Sequence, residues 1–223
     1  MRPLTDTCPK PLLKVRGRPL IVWHILNLVK AGITEIVINH AHLGAMIVDT
    51  LGDGSKFGAQ IQYSAEDPVL ETAGGIVQGL PLLGEAPFLV VSADIYVPHF
   101  NFADCINTLE DNDMWGKPHP LDKRDMAWLI MAKNPAFHPK GDFSLSLMGL
   151  TRSGENMLTF ANIGVYRPEI FHGIQPGTHA KLAPILYDLA DRGQLGGELY
   201  RGEWHNLGTP EQLAALNAPL SKT

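Results

Sequence analysis

Residues 18–39, RPLIVWHILNLVKAGITEIVIN, contain two hydrophobic periods in succession, and this change decides the fold. In the first part, apolar side chains recur at helical spacing, at Leu20, Ile21, Ile25, Leu28 and Val29. Pro19 suits the first turn of a helix, and Gly32 suits its end. The second part, 33–39, is rich in β-branched residues. The stretch therefore predicts a helix over 18–32 that leads directly into a buried strand.

The same alternation continues on both sides of this stretch. Apolar patterns predict further helices at 45–51, 72–80, 102–109, 181–192 and 210–216. They predict strands at 60–64, 87–92, 126–132, 142–150, 157–166 and 199–206. Thr209 is a good N-cap for the last helix, with Glu211 in its first turn. We therefore predict one α/β domain over 1–223, with a mainly parallel mixed sheet, helices on both faces and a β-rich insertion after residue 110.

The composition limits the classes of partner. The chain has 223 residues, and its 45% hydrophobic content is enough for a substantial core. The formal charge of −5 argues against nucleic acid, which binds to basic surfaces. No run of about 18 apolar residues is present, which argues against a membrane span. Cys8 and Cys105 form no CxxC pair, and this sparse use of cysteine predicts a reducing, cytoplasmic environment.

Two patches suit the binding of phosphate or of a base. Lys10 lies between two prolines, so a stiff loop would fix its charge where a phosphate can bind; a solvated loop lysine is the plainer alternative. The stretch ETAGGI begins at Glu71, and its Gly74 and Gly75 allow a ligand to approach a helix start closely. A simple turn before the helix explains these glycines equally well.

Two further patches carry side-chain oxygens at strand ends. Asp94 follows the apolar run 88–92, and ligands of parallel sheets bind just beyond such strand ends. Its carboxylate suits Mg²⁺. The alternative is that Asp94 caps a loop. Asn206 could offer its amide oxygen to the same ion, or satisfy the backbone of a turn. Asp142 is either a turn residue or an acceptor for a sugar hydroxyl.

The chain contains neither the GxSxG pattern of serine hydrolases nor the GxxxxGK[ST] pattern of Walker-type nucleotide sites.

In their order and spacing, these patches resemble the sugar-1-phosphate nucleotidylyltransferase family. The resemblance rests on RPLT and PKPLL within 2–13, ETAGGI at 71–76, SAD at 92–94 and WHNLGTPE at 204–211. Further stretches, at 34–44, 51–58, 141–143 and 181–186, are most similar to bacterial uridylyltransferases that act on N-acetylmuramate 1-phosphate. Together these stretches span nearly the whole chain, and they imply a Rossmann-like domain of the GT-A-like type.

The resemblance also implies a reaction and a set of roles. A uridylyl group would pass from UTP to a sugar 1-phosphate, with release of pyrophosphate, in cell-wall recycling. Lys10 would hold the phosphates, and Asp94 would hold Mg²⁺ with Asn206 as the second ligand. The uracil would face Glu71 and the Gly74–Gly75 backbone. The candidates for sugar contacts are Asp142, Asn162 and Lys181.

Two departures from the family pattern affect these expectations. The second metal ligand of the family is usually an aspartate, and Asn206 carries one negative charge less, so weaker Mg²⁺ binding is expected. Family members begin with a strand and a Gly-rich loop of the type LAAGxGxR, whereas the printed chain starts at Met1-Arg2-Pro3. We expect a start upstream of Met1, with a degenerate protein as the alternative, and low activity for the chain as printed.

Three other functions fit parts of the pattern. One is a different substrate pair in the same family, such as mannose 1-phosphate with GTP or glucose 1-phosphate with dTTP. Another is a non-catalytic paralogue that binds a nucleotide sugar. The third is a glycosyltransferase of similar architecture, but its Asp-x-Asp motif is reduced to one acid in the SAD stretch at 92–94. All of these partners are small molecules, and assembly into a homo-oligomer is left open.

Overall fold

The computed structural model describes residues 1–105 and 125–218, which form five α-helices and twelve β-strands. The helices are α1 (Leu20–Lys30), α2 (Gly44–Leu51), α3 (Glu71–Leu83), α4 (Ala183–Asp191) and α5 (Pro210–Asn217). The strands are β1 (Lys14–Val15), β2 (Arg18–Pro19), β3 (Glu35–His40), β4 (Gln60–Ala65), β5 (Phe88–Val91), β6 (Ile95–Tyr96), β7 (Ala127–Ala132), β8 (Phe143–Ser146), β9 (Gly149–Thr151), β10 (Met157–Tyr166), β11 (Leu195–Leu199) and β12 (His205–Asn206).

The described residues divide into two compact units. The first contains Met1–Ala65, Ser92–Phe100 and the described residues from Gly202 onwards. The second contains Glu66–Val91 and the described residues of Asn101–Arg201. The single domain expected over 1–223 stays a prediction. In neither described range is a helix both long and apolar enough to cross a membrane.

The first unit packs α1 against a parallel pair of strands. β3 and β4 pair in register, with Glu35 opposite Gln60. Ile25 of α1, Ile38 of β3 and Ile61 of β4 belong to one buried apolar cluster, because the helical and the strand periods both direct branched side chains into it. β1 and β2 form an antiparallel hairpin, and β6 pairs antiparallel with β12. This last pairing joins two segments that the sequence marked as functional.

A six-stranded mixed sheet forms the second unit. Its strand order is β11-β7-β10-β8-β9, and β5 also pairs with β10. β10 is ten residues long and pairs antiparallel with β5, β7 and β8, whereas β11 runs parallel to β7. Val77 of α3 and Leu186 of α4 share a buried cluster with Leu129 and Tyr166 of the sheet.

The predicted α/β class with a mixed sheet is confirmed, but the parallel share is smaller than expected. Among the strand pairs of the described residues, β3–β4 and β7–β11 are parallel, and the other six are antiparallel. The reason is β10, which runs opposite to its neighbours on both of its edges and so sets the direction of most pairs in its sheet.

Two predicted strands have the wrong extent. The strand expected at 142–150 reverses at Leu147 and Met148, so that it forms the antiparallel strands β8 and β9. The strand expected at 199–206 is also wrong: β11 ends at Leu199, where it pairs with Met131 near the end of β7, and strand structure returns only at β12. Of the helix expected at 102–109, residues 102–105 form a 3₁₀ turn and the others lie outside the described residues.

Candidate functional site

A lysine and an aspartate from distant parts of the sequence form an ion pair in the first unit. Nζ of Lys10 donates a hydrogen bond to Oδ2 of Asp94 over 2.9 Å. Lys10 opens a 3₁₀ turn whose backbone is restricted by prolines, and the buried side chain of Leu12 anchors this turn in the core. The two charged side chains are 28% and 38% exposed. Both therefore remain accessible to a ligand.

The pairing of β6 with β12 brings Asn206 beside Asp94. Asn206 lies opposite Ile95 in the register. The amide of Leu207 donates to the carbonyl oxygen of Asp94 over 2.8 Å, which extends the pairing by one residue. Lys10, Asp94 and Asn206 are thus gathered in the first unit, as their predicted roles with one phosphate group and one ion require.

A buried histidine supports the backbone directly after Asp94. Nε2 of His24 lies 2.9 Å from the carbonyl oxygen of Ile95, so that the Nε2–H tautomer donates to it. One turn further along α1, the side chain of Asn27 donates to the carbonyl oxygen of Pro98 over 3.1 Å. Burial lowers the pKa of His24 to about 4, which keeps the ring neutral at pH 7. Among the described residues, Nδ1 of this ring has no hydrogen-bond partner.

The side-chain oxygens of Asp94 and Asn206 fit a hard divalent cation. Asp94 offers a carboxylate and Asn206 an amide oxygen, and Mg²⁺ in proteins is commonly held by one or two such groups together with water and substrate phosphates. Within 1–105 and 125–218, no group of three or more His, Cys, Asp or Glu side chains could hold a metal ion. Asp94 and Asn206 would supply two protein ligands, and water and substrate phosphates would supply the others.

In the second unit, the start of α3 is tied to Ala180. The carbonyl oxygen of Ala180 accepts hydrogen bonds from the amides of Ala73 and Gly74, over 3.0 and 3.1 Å. The amide of Ala180 donates in turn to the carbonyl oxygen of Leu70 over 2.9 Å. Three hydrogen bonds between two short segments hold the first turn of the helix and residue 180 together as one piece.

This arrangement engages one backbone group of Gly74. The Gly74–Gly75 backbone was expected to face a base, and the amide of Gly74 donates to Ala180. A Cβ added at Gly74 would collide with the carbonyl oxygen of Thr178 and would approach the Cβ of Leu70 to 2.9 Å. Packing therefore explains this glycine. Gly75 is buried in the same helix, and its contact with a base stays a prediction.

Exposed polar side chains flank the same end of α3. Glu71 adopts a φ of 63°, in the left-handed region, and its Oε1 lies 3.8 Å from Nε2 of His179. Lys181, which is also exposed, directly follows Ala180. A residue predicted to contact the base and a residue predicted to contact the sugar therefore lie at the same helix end.

Asp142 has hydrogen bonds on both carboxylate oxygens. Oδ2 accepts from the amide of Phe160 over 2.8 Å, and Oδ1 lies 3.0 Å from Nε2 of His138. The backbone amide of Asp142 donates to the carbonyl oxygen of Leu158 over 2.7 Å. The turn interpretation of Asp142 is therefore supported, and its contact with a sugar stays a prediction.

Asn162 lies in an irregularity of β10. The register between β10 and β7 shifts between Phe160 and Gly164, and Asn162 there adopts a φ of 60°. A bulge of this kind redirects side chains and occurs frequently beside active sites, and a non-glycine residue in the left-handed region is uncommon. Asp142 thus contacts β10 at Phe160, two residues before Asn162.

Sequence reasoning missed three histidines that the structure places beside these residues. His24, His138 and His179 belong to no metal-ligand or catalytic motif in the sequence, so none of them was among the predicted site residues. His24 carries a signal in retrospect, since it is a polar side chain on the apolar stripe of α1. The contacts of His138 and His179 depend on loops, and loops give no periodic signal.

The comparisons with known proteins agree with the motifs. The model of the family described as Nucleotidyl transferase matches residues 1–115. An N-acetylmuramate α-1-phosphate uridylyltransferase of Neisseria meningitidis is 48% identical over 98% of this chain and 92% of its own length.

The chain belongs to the nucleotidyl transferase family.

The resemblance drawn from the motifs is thereby confirmed. An enzyme of the same name from Caulobacter vibrioides is 30% identical over 100% of this chain and 92% of its own length. More distant relatives of this nucleotidyl transferase are named mannose-1-phosphate guanylyltransferases. A Bacillus anthracis structure described as a glucose-1-phosphate thymidylyltransferase matches this chain with a TM-score of 0.78 at 18% identity. The match covers 97% of this chain and 88% of the Bacillus chain, and at this identity it supports the fold alone.

Proposed function

We propose that this nucleotidyl transferase transfers a uridylyl group from UTP to N-acetylmuramate 1-phosphate and releases pyrophosphate. The observation that carries the proposal is the ion pair of Lys10 with Asp94 next to the β6–β12 pairing, in which Asn206 lies opposite Ile95, the residue that follows Asp94. The 48% identity to the Neisseria enzyme supports this choice of sugar and base. The product, a UDP-sugar, would serve cell-wall recycling in the cytoplasm.

The reaction is an in-line phosphoryl substitution. An oxygen of the sugar 1-phosphate forms a bond to the α-phosphorus of UTP, and the bond from that phosphorus to the bridging oxygen of pyrophosphate breaks with its electron pair. Such reactions are accelerated almost entirely by positioning and by neutralisation of charge. When bound, Mg²⁺ would neutralise charge on the phosphate oxygens, with Asp94 and Asn206 as its protein ligands.

Lys10 would supply the second positive charge. In the structure its ammonium group is occupied by Asp94, so one group must exchange partners when a phosphate and a cation bind. With its carboxylate engaged by a cation, Asp94 would no longer hold Lys10, and the ammonium group of Lys10 would be available to a phosphate oxygen. Lys10 therefore binds and orients the phosphates, and it transfers no proton.

The resemblance assigns the contacts that would select the substrates to residues of the second unit. Glu71 is a candidate for the uracil, and Lys181 and Asn162 are candidates for the sugar. Gly74 would contribute by packing alone, because its amide is donated to Ala180. These roles follow from the resemblance, from the exposed side chains of Glu71 and Lys181 at the start of α3, and from the half-buried Asn162 at the irregularity of β10.

The test is pyrophosphate release with a panel of substrates. N-acetylmuramate 1-phosphate, N-acetylglucosamine 1-phosphate, mannose 1-phosphate and glucose 1-phosphate are each combined with UTP, GTP and dTTP in the presence of Mg²⁺. The assay is run on the chain as printed and on a chain extended through any in-frame upstream sequence. We expect UTP with N-acetylmuramate 1-phosphate to give the highest kcat/KM.

Other outcomes would select the alternatives. A preference for GTP with mannose 1-phosphate would show the guanylyltransferase activity after which the distant relatives are named. Tight binding of a UDP-sugar without Mg²⁺, and without turnover in either chain, would indicate a non-catalytic binding protein.

A further inference from the structure

We propose that His138 recognises the carboxylate that distinguishes N-acetylmuramate 1-phosphate from N-acetylglucosamine 1-phosphate. The inference rests on the proposed function, and it names a residue that decides which sugar is accepted. The two sugars differ at O3, where the muramate carries a lactyl ether that ends in a carboxylate. A hydrogen-bond donor held at a fixed position near O3 of the sugar would discriminate between the two.

The loop that carries His138 is rigidly attached to β10. Nδ2 of Asn134 donates to the carbonyl oxygens of Pro139 and Met157, over 3.1 and 3.0 Å. Oγ1 of Thr159 donates to Oδ1 of Asn134 over 2.8 Å, and the amide of His138 donates to the carbonyl oxygen of Pro135 over 2.9 Å. The loop is therefore held in place before any ligand binds, and pre-organisation of this kind lowers the entropy cost of binding.

Gly141 shows how closely the loop approaches the strand. It adopts a φ of 64°, and an added Cβ would lie 2.7 Å from the carbonyl oxygen of Leu158 and 2.8 Å from Oδ1 of Asn134. A side chain at this position would push the loop away from β10. The glycine therefore permits the short distance at which Asp142 reaches both Phe160 and His138.

Asp142 fixes the orientation of the imidazole. Its Oδ2 is held by the amide of Phe160, and its Oδ1 faces Nε2 of His138 at 3.0 Å. The ring is thus aligned through one nitrogen while 39% of the side chain remains exposed. In the imidazolium form both ring nitrogens are donors, so Nδ1–H can donate to a second carboxylate while Nε2–H stays on Asp142.

The surroundings point to a ligand site rather than to a purely structural ion pair. Asn162 lies two residues after Phe160, in the irregularity of β10 and at a φ of 60°. Backbone of this kind is retained where it directs a side chain to a task. Asp142 changes its expected role accordingly: it holds the group that contacts the sugar.

A neighbouring cation provides the matched control. Lys140 is exposed in the same loop, two residues from His138, and no ion pair or hydrogen bond fixes its ammonium group among the described residues. A general attraction for a negative sugar would depend on both residues. Specific recognition would depend on His138 alone, because only its ring is aligned by Asp142.

The experiment compares two products and two sugar phosphates in His138→Gln, Lys140→Gln, Asp142→Asn and the unchanged protein. Calorimetry gives the Kd of UDP-N-acetylmuramate and of UDP-N-acetylglucosamine, and pyrophosphate release gives kcat/KM for the two sugar 1-phosphates. We expect His138→Gln to weaken the muramate ligand by roughly tenfold or more, the size of one charge-assisted hydrogen bond, and to leave the glucosamine ligand within about twofold. Lys140→Gln should change neither ligand, and Asp142→Asn should shift the preference in the same direction as His138→Gln.

Equal losses for both sugars in His138→Gln, or no loss for either, would overturn the inference. An unchanged protein that handles muramate and glucosamine ligands equally would also overturn it, while the proposed uridylyl transfer would stand. An unchanged protein that neither binds nor turns over any uridine substrate would remove the proposed function and the inference together.

Discussion

Lys10 and Asp94 neutralise each other in the structure, with Nζ and Oδ2 2.9 Å apart although 84 residues separate them in the sequence. An ion pair that is about one-third exposed contributes little to folding, on the order of 0 to 1 kcal/mol. The pair can therefore open at low cost to the stability of the fold. Lys10 is then available to a phosphate and Asp94 to a cation.

Replacement of Lys10 separates catalysis from folding. We expect Lys10→Met to lower kcat for pyrophosphate release by roughly 10²- to 10³-fold, the size typical of one lost electrostatic contact with the transition state. The midpoint of thermal unfolding should change little. Lys14→Met, an exposed lysine in the same unit, is the control and should keep full activity. Equal activities of the two variants would remove Lys10 from the phosphate site.

We predict that the amide of Asn206 limits how tightly Mg²⁺ binds. Asn206→Asp adds a carboxylate opposite Ile95 and beside Asp94, so the Mg²⁺ concentration for half-maximal activity should fall several-fold. Asn206→Ala should raise it, because one ligand oxygen is lost. Titration of activity with MgCl₂ measures both effects, and a half-maximal concentration that is the same in all three proteins would place the ion elsewhere.

Gly74 should be intolerant of alanine for a reason of packing. Glycine to alanine within a helix ordinarily stabilises a protein by up to about 1 kcal/mol. At Gly74 the added methyl group would meet the carbonyl oxygen of Thr178, so we expect a loss of roughly 1–3 kcal/mol in the free energy of unfolding. Gly208→Ala is the control, since its Cβ would approach only Oε1 of Gln212, at 3.4 Å. Urea titrations that show stabilisation by Gly74→Ala would contradict the packing explanation.

His24 should make the fold sensitive to acid. Its pKa is about 4 in the folded protein and 6.5 in the unfolded chain, so the unfolded chain binds a proton more readily. The stability that the neutral ring contributes is fully present above pH 6.5 and is lost as the pH falls from 6.5 towards 4. The loss from this group should reach about 3 kcal/mol near pH 4.

A glutamine at position 24 isolates this contribution. Its side-chain amide can donate to the carbonyl oxygen of Ile95 without titrating, so His24→Gln should flatten the fall in stability between pH 6.5 and 4 and should retain activity. His24→Leu leaves that carbonyl oxygen without its donor and should lower activity through the displaced Asp94 segment. Urea unfolding at a series of pH values tests the first expectation, and identical profiles for His24→Gln and the unchanged protein would refute it.

Local patterns were enough to predict most helices. The apolar period and Gly32 predicted α1, although the helix begins after Pro19 rather than at Arg18. Thr209 was predicted as an N-cap, and it forms a reciprocal capping pair with Gln212. Both signals act within one or two turns of a helix, so no information from distant residues was needed.

Strand partners and the contacts of charged groups could not be predicted in this way. Periodicity predicts that β10 is a strand but not that its neighbours run opposite to it. Periodicity also does not predict the contact of Lys10 with Asp94 or that of His138 with Asp142. Each contact depends on a loop whose path is set by the completed fold. The resemblance identified the candidate site residues, but only the structure shows which hydrogen bonds they form.

The three hydrogen bonds between Ala180 and the start of α3 have a consequence for changing the substrate range of this enzyme. Glu71 and Lys181 are carried by two segments that share a single backbone junction, so a shift in one displaces the other. A new base preference introduced at 70–74 would shift Lys181, the residue proposed to contact the sugar, unless both segments were transplanted together. Natural variation in this family should therefore exchange 70–74 and 178–181 as a coupled block, and chimeras that join them from different parents should fold less well than chimeras that keep them together.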